Sequence, residues 1–122
     1  MRIDPKVVPP SITARAPRKR KGTRERLAEA LIALAQGHGR IVAHSEKSWA
    51  SITFAGARHR VELAFDGAEA VEAGECFIAF LPEHEFAIPG QLVADAAVVE
   101  VASVLDPPRL SVVCEVLVLE EG

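Results

Sequence analysis

The stretch LVADAAVVEVASVL (92–105), DPP (106–108), RLSVVCEVLVLE (109–120) decides the fold. In its last part Val112, Cys114, Val116 and Val118 fall on one side of an extended chain, with Val113, Leu117 and Leu119 on the other. Successive side chains of a strand point to opposite faces, so apolar residues on both sides describe a central or doubly covered strand. Pro107 and Pro108 bar a helix from running through the join, because the residue before a proline is pushed out of the helical region. Ala94, Ala96, Ala97 and Ala102 would also suit a helix; we read 92–105 as a strand. The two segments then form a hairpin whose arms are about twice the usual strand length, and its surplus needs a second surface such as a partner subunit.

Upstream the same period of two gives strand candidates at 40–44, 48–54 and 58–65, closed by Asp66-Gly67. A fourth is read at Glu75 to Leu81, stopped by Pro82, with 68–74 as a loop or short strand between Gly67 and Gly74. Before these strands the spacing changes. Leu27, Leu31 and Leu34 mark one stripe, Thr23 is a suitable N-cap and Gly37 a suitable C′ residue, which predicts a helix over 24–36. The expected fold is α+β: one N-terminal helix packed on a mainly antiparallel sheet of five to six strands, ending in a long C-terminal hairpin and preceded by an extended basic arm.

Charge divides the chain near the start of this helix. Residues 1–26 carry nine Lys/Arg against two acids, and residues 27–122 carry five against fifteen, so +7 adjoins −10. We divide the chain into a proline-containing basic arm, 1–22, and a single α+β domain, 23–122. Like charges and spaced prolines favour an extended arm that reaches roughly 70 Å at ~3.3 Å per residue. Its binding residues are Arg18, Lys19, Arg20 and Lys21, continued by Arg24 and Arg26. Arg24 and Arg26 oppose the helix dipole, which points to an acid close by.

With five Phe, one Trp and no Tyr in 122 residues, the core is thin, and self-association would add to its stability. A polar N-terminus and two cysteines inside apolar runs predict a reducing compartment, the cytoplasm. No window holds 18 uninterrupted apolar residues, so no membrane span is expected. Ten Arg to four Lys and no Asn is the usage of a GC-rich bacterial genome.

No motif specifies a chemistry. The catalytic candidates are His84 between Glu83 and Glu85, with His59, since a histidine beside carboxylates suits a general base. In an extended loop those three neighbours cannot converge, so a solvated turn is preferred. His38, His44 and His59 match no zinc template, and neither a metal nor a cofactor is expected. Cys76 and Cys114 read as core residues rather than nucleophiles with a nearby histidine. Arg58 and Arg60 share a strand face, where they would clamp an anion or pair with Glu62 or a neighbouring strand. Trp49 reads as a core or interface anchor that also offers a binding surface.

These features favour a non-catalytic binding or assembly module, a homodimer whose arm docks on acidic surface, with the small-molecule ligand unspecified. The alternatives are a nucleic-acid-binding protein that uses the arm and a small enzyme with a His/Glu site. The arm has no aromatic residue for base stacking, so nucleic acid is the less favoured partner.

Overall fold

Apolar side chains at every second position of 61–65 and 110–118 create the layer against which the rest of the chain packs. The structure, a computed structural model, describes residues 22–121. In chain order the elements are α1 (Thr23–Leu34), β1 (Arg40–Ala50), β2 (Ala55–Asp66), α2 (Ala68–Phe80), a short 3-10 turn (Leu81–Glu83), β3 (Gln91–Leu105) and β4 (Pro108–Glu120). The strands form one antiparallel sheet in the order β1-β2-β4-β3. Hence β2 and β4 are central, and β1 and β3 are the edges.

One sheet face is covered. His59, Val61, Leu63 and Phe65 of β2 lie opposite Val116, Cys114, Val112 and Leu110 of β4, all buried. Leu27 and Leu31 of α1 and Ala70, Phe77 and Leu81 from α2 and the turn after it complete this core. Each fully buried Leu or Phe contributes about 1.5–3 kcal/mol, so the two leucines suffice to hold α1 down. The opposite face lies away from this core and is open at its edges, though Leu117 and Leu119 of β4 are buried there; its rows run Trp49–Gly56–Leu119–Leu92, Lys47–Arg58–Leu117–Asp95 and Ser45–Arg60–Glu115–Ala97.

The α+β class, the antiparallel sheet and the long C-terminal hairpin agree with the sequence reading, but three details differ. There are four strands and two helices among the described residues, not five to six strands and one helix. Residues 68–80 are helix α2 because Ala70, Ala73, Gly74, Phe77 and Leu81 recur at helical spacing and all are buried. Gly74 is no turn: a Cβ there would lie 2.6 Å from Leu110 and 2.9 Å from Phe65, so glycine lets the helix lie close on the sheet. The segments 40–44 and 48–54 are one strand, 40–50, followed by a turn.

At α1 the caps are each displaced by one residue from the expected ones. Gly22, not Thr23, is the N-cap, and its N–H donates to Glu25 Oε1 at 3.0 Å. At the other end Gln36 takes the left-handed conformation at φ 60°, its N–H donating to the Ala33 carbonyl and that of Gly37 to the Ile32 carbonyl. These two bonds satisfy the last carbonyls of the helix in the Schellman pattern.

The basic run Arg18 to Lys21, with the rest of residues 1–21, lies outside the described residues. Among the described residues no helix is long and apolar enough to cross a membrane.

Candidate functional site

A polar residue in the dry phase of an alternating strand has to find a partner inside the protein. His59 is such a residue: it shares its face with Val61, Leu63 and Phe65 and is 1% exposed. It finds His44 on β1, with His44 Nε2 and His59 Nδ1 2.9 Å apart and the rings edge to face at 5.1 Å. One of these nitrogens donates and the other accepts, so at least one ring is neutral. Glu46 is the cross-strand neighbour of His59. Arg24 of α1 reaches over this edge, donating to the His44 carbonyl and to Glu46 Oε1, the latter at 3.2 Å. Glu46 is thus the acid that compensates a cation at the wrong end of the helix dipole.

A cavity of about 240 Å³ lies beside the pair, bordered by His59, Glu46, Thr23, Ser48, Gln91 and Glu120 among others. With Nδ1 engaged by His44, Nε2 is the His59 nitrogen left for a ligand. Burial holds His44 below the ordinary histidine range, helped by the Arg24 guanidinium and by His59, against the pull of Glu46. Burial likewise lowers His59, opposed by Glu46 and aided by Arg24. The pair is therefore uncharged at neutral pH, able to accept or donate a hydrogen bond and not to act as a cation.

This depression fixes the sign of a pH effect. As pH falls through about 6.5 the unfolded chain takes up protons that the folded pair refuses, so stability is complete above that value and declines below it. The slope is up to about 1.4 kcal/mol per pH unit for each histidine. Urea unfolding of wild type and His44→Gln between about pH 7.5 and 5.5 is expected to show the steeper acid loss in wild type. Equal slopes would contradict the pairing.

The other sequence candidates are dispersed. His84 sits in an exposed turn with its ring against Phe86 at 4.6 Å, Glu83 and Glu85 are exposed beside it, and none of the three borders the cavity of His59. Cys114 is fully buried, its thiol pushed up to about 11 by burial and by Glu115, and so unfit as a nucleophile. Cys76 belongs to helix α2 rather than a strand; it shares a shallow surface cavity with His38, but no hydrogen bond joins the two. No group of three or more metal-ligating side chains occurs among the described residues.

Arg60 bridges Glu115 at 2.9 Å and Glu100 at 3.4 Å across the open face, whereas Arg58 has no ion pair among the described residues. Trp49 is half-buried at the end of β1, opposite Gly56. His44 and Glu46 are partners of His59 that the sequence alone does not disclose. The signal was the shared phase of His59 with the apolar residues of 61–65.

The second feature is an edge. From Glu100 to Leu105, β3 pairs residue for residue with 113–108 on one side only. Val99, Val101, Val104 and Leu105 are 47%, 49%, 51% and 91% exposed. No family model, curated protein or solved structure matches this chain.

Proposed function

We propose that this chain is a non-catalytic assembly module that pairs with a second copy along the outer edge of β3, its basic arm docking on acidic surface of the partner. The observation that carries this reading is the bare apolar edge at 99–105. Unpaired N–H and C=O groups of an edge strand are a template for another strand, and natural proteins blunt such edges with charge or irregularity. The β1 edge is blunted so, with Arg40, Glu46 and Lys47 and a register shift at 41–43, whereas the two register shifts of β3, at 93–95 and 98–100, precede the regular run 100–105. Between Ala96 and Leu105, β3 has one charged residue, Glu100, which Arg60 neutralises. Paired edges would bury the surplus of the long hairpin.

Acidic surface for the arm is abundant. Residues 61–108 hold ten Asp/Glu and no Lys or Arg. Of these, Asp66, Glu69, Glu72, Glu75, Glu83 and Glu85 are exposed along and around α2.

Sedimentation velocity of the full chain with Arg18, Lys19, Arg20 and Lys21 all changed to Glu tests the arm. Exposed pairs contribute about 0.2–1 kcal/mol each, so association is expected to weaken about ten-fold or more at low salt, and high salt to erase the difference. Identical association of both proteins at low salt would refute arm docking while leaving the β3 edge untouched.

A further inference from the structure

The turn joining β1 to β2 carries its apolar residues outward. Ile52 is fully exposed at 105% and Phe54 is 47% exposed. The turn beneath them is held by hydrogen bonds: Ser51 N–H donates to the Phe54 carbonyl at 2.7 Å, and Phe54 N–H donates to Ser51 Oγ at 3.1 Å. The first row of the open face below the tip is also apolar, with the half-buried Trp49 beside Gly56 and the 45% exposed Leu92 beyond the buried Leu119.

One row further down, Lys47 and Arg58 stand directly opposite each other. Like charges at such a cross-strand position destabilise a sheet, and neither has an ion pair among the described residues. A local rule broken at the surface without internal compensation is characteristic of a binding site. The carboxylates near them are engaged or distant: Glu46 and Glu115, which border the same cavity as Lys47 and Arg58, are held by Arg24 and Arg60, and Asp95 stands two strands from Arg58 in its row.

We propose that this hairpin is a docking site for an anionic lipid surface. Ile52 and Phe54 enter the boundary between headgroups and acyl chains, Trp49 lies at headgroup level, and Lys47 and Arg58 meet lipid phosphates. The spacing fits. Two residues of strand separate the Trp49 and Lys47 rows by ~7 Å, within the ~5–10 Å depth to which interfacial segments sink. Tryptophan favours this boundary, and basic residues within a Debye length of an anionic leaflet are drawn to it. The site is separate from the β3 edge and does not depend on self-association.

Trp49 is the single tryptophan of the chain, so its fluorescence reports on the site directly. The full chain is titrated with vesicles of phosphatidylcholine and phosphatidylglycerol in equal parts, and with phosphatidylcholine alone, at low salt. The anionic vesicles are expected to shift Trp49 emission to the blue and to sediment with the protein. The exposed double variant Ile52→Asp/Phe54→Asp is expected to lose roughly 100-fold in partition. Lys47→Glu/Arg58→Glu is expected to lose about ten-fold or more on anionic vesicles only. Absence of binding to anionic vesicles, or equal binding by wild type and the Asp variant, overturns the proposal. So does a tip that responds instead to a single-stranded oligonucleotide, or whose Asp variant changes only the sedimenting mass without lipid.

Discussion

Full-length protein carrying Val101→Lys and Val104→Lys is expected to sediment as a single 13.1 kDa chain at concentrations where the unaltered chain sediments at twice that mass. Both valines are half exposed, so the lysines reach water and the monomer keeps its fold. In the dimer each would meet the partner's edge, and edge lysine is the commonest device by which natural sheets refuse further strands. Val101 is on the phase of β3 that faces with Val112, and Val104 stands opposite Arg109, so both faces of the paired edge are struck. Losing four valines' burial per dimer weakens association roughly a thousand-fold or more. Unchanged mass would move the interface elsewhere.

The second large effect is on folding. A Cβ added at Gly56 would lie 2.0 Å from the Val118 carbonyl oxygen and 2.8 Å from Leu119 Cα. Both are backbone atoms of the central strand, so no rotamer change relieves the clash and β2 must part from β4. Gly56→Ala is expected to cost about 3 kcal/mol or more, at the upper end for overpacking, and to lower the thermal midpoint by roughly 10 °C or more. Calorimetry measures this. A loss under about 0.5 kcal/mol, as at an ordinary surface site, would contradict the close approach of the two strands.

Much of the sheet was legible because its phases are clean. Val61, Leu63 and Phe65 against Arg60, Glu62 and Ala64 announce β2, and the apolar run at 110–119 announces a strand between two others. Helix α2 was hidden by two glycines that mimic turn signals and by Phe77 and Ile78, which suit a strand as well as a helix. Its buried residues, Ala70, Ala73, Gly74 and Phe77, do recur at helical spacing, but three of the four are Ala or Gly and give a weak apolar signal.

The histidine pair was half legible. His59 stands in the apolar phase of its strand, but its partner lies fifteen residues upstream, and their meeting depends on a register that one strand's pattern does not set. The Glu83 to Glu85 turn drew notice through local composition, and composition does not bring side chains together. Edge position was likewise illegible, since the order β1-β2-β4-β3 follows from how β4 inserts between its neighbours and not from the residues of β3.

Amide hydrogen exchange across β3, recorded on the full chain over a dilution series, tests the pairing of two copies most directly. The outward amides between residues 99 and 105 are expected to be protected at high concentration and to lose that protection on dilution, while those bonded to β4 do not change. Outward amides that exchange freely at every concentration would contradict the pairing.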